Sequence, residues 1–194
     1  MKPLFPSFVF ILFIFFTSCN TGPKVIDDLS DKSFNVINQN GESVTFPDDY
    51  QGKYVIVGFI YTNCPDICPL VTQNLIKVQK EFNNPDDIQF LGITFDPKRD
   101  TPEVLKNYKG LFNLDDNFDF LTADSTTISE LMDSVRVRSQ VSFTQVREDD
   151  KEVYFMNHSD KIMVLDKKSR VIFEYGGSMT PVNYIVEDLK TVRK

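Results

Sequence analysis

The chain has 194 residues, 41% of them hydrophobic, with 28 acidic against 21 basic side chains and a formal net charge of −7 at pH 7. That negative balance, with no cluster of Lys and Arg interleaved with aromatics, speaks against nucleic-acid binding. The length supports one hydrophobic core and is too short for two comfortable ones.

The first segment runs Met1-Lys-Pro-Leu-Phe-Pro, then Phe8-Val-Phe-Ile-Leu-Phe-Ile-Phe-Phe16, then Thr17-Ser-Cys19. A basic residue at position 2, an apolar run too short to span a bilayer comfortably and small residues before a cysteine read as a secretory signal. The pattern resembles a bacterial lipoprotein signal, in which Cys19 is lipidated and becomes the mature N-terminus. A mitochondrial presequence is disfavoured because Lys2 is the only basic residue before Lys24. The expected organisation is a lipoprotein-type signal over 1–19, a polar tether over 20–30 and one domain over 31–194, exported and membrane-anchored, facing the periplasm or cell exterior. In that compartment a cysteine pair is free to oxidise.

Phe34 to Phe46 reads as a hairpin turning at Asn40-Gly41. Lys53 to Thr62 is a nearly continuous apolar run of strand length, the mark of a central strand buried on both faces. From Leu70, the residues Val71, Leu75, Val78 and Phe82 recur at helical spacing until Asn83-Asn-Pro85 stops them. A second strand is expected over Ile88 to Phe95, then a helix from about Thr101 to Phe112 with Asp100 as N-cap and Glu103 completing a capping box. A short strand over Phe118 to Thr122 and a helix over Ile128 to Val135 follow. Val141–Val146 and Glu152–Met156, flanking the polar Arg147-Glu-Asp-Asp-Lys151, predict a hairpin projecting from the core. Lys161–Leu165 and Arg170–Tyr175 form an antiparallel pair, and a helix from about Thr180 to Val192 closes the chain.

Chemistry concentrates in Cys64 and Cys68 of Phe59-Ile-Tyr-Thr-Asn-Cys-Pro-Asp-Ile-Cys-Pro69 and in the chain's only histidine, His158. Two soft thiolates and an imidazole suit copper or zinc far better than magnesium or calcium. The same thiols could pair as a disulfide or work as a redox couple. A purely structural bridge across so short a loop would stabilise the fold by about 2 kcal/mol at most. A thiol near a helix N-terminus is expected to have a lowered pKa, which favours thiolate for metal binding or disulfide attack. Asp96, at the end of the second strand, fits a turn-forming role or one beside the site.

Strand, helix, strand, helix, then a strand pair and a final helix is the order of a thioredoxin-like α/β fold, a central mixed sheet flanked by helices. Here it carries an N-terminal hairpin and an inserted hairpin before the last strands. Parallel strands joined by a right-handed crossover share a C-terminal edge, so Cys64 and Asp96 should emerge on one side. The Lys161 strand, if antiparallel to its neighbour, starts on that edge with His158 just ahead of it.

Tyr-Thr-Asn-Cys-Pro-Asp-Ile-Cys-Pro around the thiols, Asp96-Pro-Lys-Arg-Asp-Thr-Pro after the second strand, and His158-Ser159 resemble, in order and spacing, the Sco/SenC proteins. These are thioredoxin-fold copper-binding proteins that help assemble the dinuclear copper site of cytochrome c oxidase. The resemblance implies that Cys64, Cys68 and His158 ligate copper as Cu(I) or Cu(II), and that Asp96 lies beside the site and influences it. It also implies partners: the copper-carrying subunit of the oxidase, and a thioredoxin-like reductant or another copper chaperone. The alternative function is a membrane-anchored thiol-disulfide oxidoreductase with Cys64 as attacker and Cys68 as resolver. The CxxxC spacing and the absence of a proline in Asn157-His-Ser159 favour metal.

Overall fold

The computed structural model describes residues 22–83, 85–146 and 152–193. The segment read as a signal, with Cys19, the start of the expected tether and the polar residues 147–151 lie outside the described residues.

Ten strands and four α-helices are described: β1 Asp27–Asp28, β2 Phe34–Asn38, β3 Ser43–Phe46, β4 Tyr54–Ile60, α1 Ile67–Phe82, β5 Ile88–Thr94, α2 Pro102–Leu111, β6 Phe118–Thr122, α3 Ser125–Ser134, β7 Ser139–Val146, β8 Glu152–His158, β9 Ile162–Leu165, β10 Arg170–Tyr175 and α4 Val182–Val192. Eight strands form one mixed sheet in the order β1-β10-β9-β4-β5-β6-β2-β3, and β7 with β8 form a separate two-stranded sheet. β4, β5 and β6 run parallel, while β9 is antiparallel to β4 with Val57 opposite Met163. Every residue of β4 and β5 is buried, as a near-continuous apolar run in a sheet covered on both faces requires.

Helix α1 packs on β4 with α4 beside it, α2 packs on β6, and α3 packs against β2. The Tyr108 hydroxyl of α2 lies 3.1 Å from Thr72 Oγ1 of α1, joining those helices. Phe46, Phe59, Phe90, Phe118 and Phe120 are fully buried and fill the core. The expected hairpin turn holds Gly41 at φ +81°, a conformation glycine adopts without the penalty of a Cβ. Its strands join the main sheet where β2 pairs with β6.

Three details differ from the sequence expectation. Helix α1 begins at Ile67, so Cys68 lies inside its first turn. Asp100 is not the cap of α2: Thr101 is, its hydroxyl accepting from Val104 N at 3.4 Å, with Pro102 as the first helical residue. Asp100 turns inward instead, fully buried. Within the segment read as tether, Ile26 N–H donates to Val171 O at 2.8 Å and Leu29 is buried, so the chain is docked from Ile26 onward.

Candidate metal centre

The thiols sit where β4 gives way to α1. Cys64 lies in the connecting loop, its N–H donating to Tyr61 O at 3.3 Å, and Cys68 lies in the helix that follows. Asp100 secures this loop from below. Its carboxylate accepts from Thr62 N at 3.0 Å, from Thr62 Oγ1 at 2.5 Å and from Thr94 Oγ1 at 2.5 Å. The C-terminal ends of β4 and β5 are thereby tied together. Burial raises the Asp100 pKa and the Thr62 and Thr94 donors pull it back only in part.

His158 is the last residue of β8, opposite Ser139 of β7. Just beyond it the hairpin base is closed by Ser159 N–H to Arg138 O at 2.8 Å and Arg138 N–H to Ser159 Oγ at 2.9 Å. The His158 ring packs against Phe95, centroids 4.8 Å apart, and meets Tyr61 edge-on at 5.7 Å. Its Nδ1 lies 3.0 Å from Ser159 O. A carbonyl can only accept, so in that contact Nδ1 is the donor, and Nε2 is the ring nitrogen turned toward the thiols. Nε2 faces Cys68 Sγ at 3.8 Å.

The candidate ligand atoms of Cys64, Cys68 and His158 all lie within 4.8 Å of one another. Around a trigonal soft ion with bonds of about 2.3 Å to sulfur and 2.0 Å to nitrogen, donor atoms stand roughly 3.7–4.0 Å apart. The cluster therefore needs only small adjustments to close on a metal. Both cysteines are free thiols and buried. Cys64 Sγ accepts from Cys68 N at 3.4 Å, and Cys68 Sγ accepts from Tyr61 N at the same distance.

The helix N-terminus does not lower the Cys68 pKa as the sequence suggested. Burial dominates and pushes it up, opposed by the Tyr61 N–H and reinforced by Cys64. Charging a thiol in an apolar setting requires a compensating cation. The site thus has the donor set for a soft metal ion and keeps Cys68 protonated without one.

Asp96 lies on the same sheet edge, buried, and is not one of the three clustered donors. Its carboxylate accepts from Tyr154 Oη at 2.6 Å and from Arg99 Nε at 2.5 Å. Sequence reasoning missed the inward role of Asp100 and the parts played by Tyr61, Phe95, Arg99 and Tyr154. A polar Thr94 ending the apolar β5 was the one available sign that this edge held a buried acceptor.

Residues 22–194 match the SCO1/SenC family profile. The chain belongs to that family. A SCO2-like protein of Rickettsia prowazekii is 35% identical over 139 residues, covering 71% of this chain and 64% of that protein, so the aligned part spans less than two thirds of that relative. Among solved structures, copper-bound ScoI of Bradyrhizobium japonicum superposes with a TM-score of 0.65 at 27% identity, covering 82% of this SCO1/SenC chain and 97% of that one. BsSco, described as a member of the Sco family of cytochrome c oxidase assembly proteins with a disulfide switch, gives 0.67 at 26% identity, covering 88% and 95%. The fold is accordingly the thioredoxin-like α/β arrangement of Sco proteins.

Proposed function

We propose that this SCO1/SenC protein is a copper metallochaperone that carries copper on Cys64, Cys68 and His158. It delivers the ion to the dinuclear copper site of cytochrome c oxidase, or prepares the thiols of that site. The observation that carries the reading is the convergence of two thiols and an imidazole nitrogen within 4.8 Å, from residues almost a hundred positions apart. The copper-bound relative and family membership support it. Two thiolates hold Cu(I), and the imidazole adds the borderline donor that suits Cu(II). Three ligands leave room for an incoming donor, so copper passes by stepwise exchange: each acceptor thiol loses a proton as it binds and each departing cysteine regains one. The acceptor is the copper-carrying subunit of the oxidase, and a thioredoxin-like reductant or another chaperone restores the reduced, loaded protein.

Anchoring follows from the N-terminal pattern: export, lipidation at Cys19 and attachment to the membrane. Among the described residues no helix is long and apolar enough to cross a bilayer. Cys19→Ser should move the protein from the membrane fraction to the soluble one, and unchanged partitioning would remove the lipid anchor from this account.

A second reading is favoured by one observation: Cys64 and Cys68 are both free thiols, and the Cys68 backbone N–H donates to Cys64 Sγ at 3.4 Å. In it the pair reduces a substrate disulfide, giving up two electrons and two protons to become a Cys64–Cys68 disulfide. Anaerobic copper titration of the reduced protein, beside Cys64→Ser, Cys68→Ser and His158→Ala, separates the two. One copper per chain, weakened in all three variants, is expected. Negligible binding, with the thiols cycling rapidly against a thioredoxin-type reductant, would transfer the assignment to oxidoreductase.

A further inference from the structure

The three donors arrive from two bodies that share no strand pairing. Cys64 and Cys68 belong to the β4–α1 junction, whereas His158 ends a strand of the separate β7–β8 sheet. Every residue of β7 is exposed. The hairpin leaves the body through a narrow base, Arg138 against Ser159, immediately beside His158. Rotation about that base turns the imidazole directly, while metal–ligand lengths tolerate only about 0.2 Å. Side chains must therefore fix the hairpin's angle.

We propose that the segment Asp96–Asp100 is a brace that sets the thiols and the imidazole at metal-binding separation before the ion arrives, with Arg99 and Tyr154 as positioning residues for His158. This deepens the metal-centre reading above and rests on it. One arm of the brace is Asp100, which grips Thr62 in the thiol loop and Thr94 at the end of β5. The other arm grips β8. Arg99 Nη1 donates to Tyr154 O at 2.8 Å, and the guanidinium lies 3.5 Å from the centroid of the Tyr154 ring. Asp96 completes the arm by accepting from both Arg99 and Tyr154.

Two features make this arm rigid. Asp96 and Arg99 side chains are only 4% and 18% exposed, so water competes weakly for their charged contacts. Arg99 also stands 5.5 Å from the centroid of the Tyr61 ring, whose hydroxyl accepts from Met156 N at 3.4 Å, so the guanidinium joins the two aromatic rings that bridge the bodies. Tyr154 and His158 are four residues apart on β8 and share a face. Holding Tyr154 thus fixes the rotation of the strand about its axis, and with it the aim of His158.

The test separates bracing from mere stability because the two copper oxidation states use the ligands unequally. Cu(I) is held by two thiolates, whereas Cu(II) depends on the imidazole. Full-length protein in detergent would be titrated with each ion by competition, for wild type, Tyr154→Phe, Arg99→Gln and His158→Ala, alongside thermal unfolding. Tyr154→Phe and Arg99→Gln are expected to weaken Cu(II) by about tenfold or more. Cu(I) should change less than about threefold, because the thiolates remain in place. Thr62→Val, on the other arm, should weaken both ions. Wild-type Cu(II) affinity in Tyr154→Phe, the variant least able to disturb folding, would overturn the brace if His158→Ala still weakened Cu(II). Unchanged Cu(II) affinity in His158→Ala would instead overturn the metal-centre reading.

Discussion

Cys68 is fully buried, and burial raises its pKa above the ordinary thiol range. Below that raised pKa the metal-free protein holds the Cys68 proton, and a bound ion must displace it. The sign is fixed: copper affinity rises with pH across the neutral range, by about tenfold per unit for the Cys68 proton alone. Competition titrations at pH 6, 7 and 8, with the released proton followed by an indicator dye in weak buffer, would measure this; a pH-independent affinity without proton release would contradict it. The three candidate donors stood out in the sequence because His158 is the chain's only histidine and Cys64 and Cys68 lie four apart, and the fold brings their ligand atoms within 4.8 Å of one another. The protonation state was not, since it depends on how much water the fold removes from the sulfur. Asp100 makes the same point. Its position before Thr101-Pro102 favours a helix cap, and only the packing of Thr62 and Thr94 around it turns the carboxylate inward.

Strands β4 and β5 were readable as unbroken apolar runs, and α1 as a helical stripe, because burial on two faces and on one face leave different periodicities. Where helices begin was less legible: Asp124 caps α3 by accepting from Thr126 and Thr127 N–H, four residues before the apolar pattern starts at Ile128. Each central strand also carries a glycine whose role is close approach. A Cβ on Gly58 would lie 2.8 Å from Val71 Cγ1 and 3.0 Å from Leu75 Cδ1 of α1, and one on Gly92 would lie 2.4 Å from the Phe120 ring. Phe120 has nowhere to retreat, packed at 5.1 Å on Phe118 and 5.3 Å on Tyr108. Gly58→Ala and Gly92→Ala should each destabilise by roughly 1–3 kcal/mol in chemical denaturation. Only Gly58→Ala displaces the helix that bears Cys68, so it alone should also weaken copper binding. Equal copper affinities in the two variants would show that α1 absorbs the strain without moving the thiol.

At the scale of the whole molecule, the candidate ligands span Cys64 to His158 and so bring together the thiol loop, the start of α1 and the end of β8 across most of the domain. The sequence could bring these residues to one edge because strand order and crossover handedness restrict the topology. It could not supply the brace, since Arg99 and Tyr154 meet only after the β7–β8 sheet has folded back over the 96–100 segment. A ligand that binds the folded chain alone stabilises it by mass action, about 4 kcal/mol when free ligand stands at 1,000 times Kd. For a domain of this size that corresponds to a rise of roughly 8–16 °C in Tm. Calorimetry with and without Cu(I) should show the rise in wild type and little of it in Cys68→Ser. The hairpin supplies a second readout. If the imidazole is engaged, Cu(II) should slow amide exchange in β8 as well as in α1, because opening the hairpin would then require breaking a metal bond. Protection confined to α1 would mean that the thiols hold the ion without His158, leaving the hairpin free to open while copper is carried.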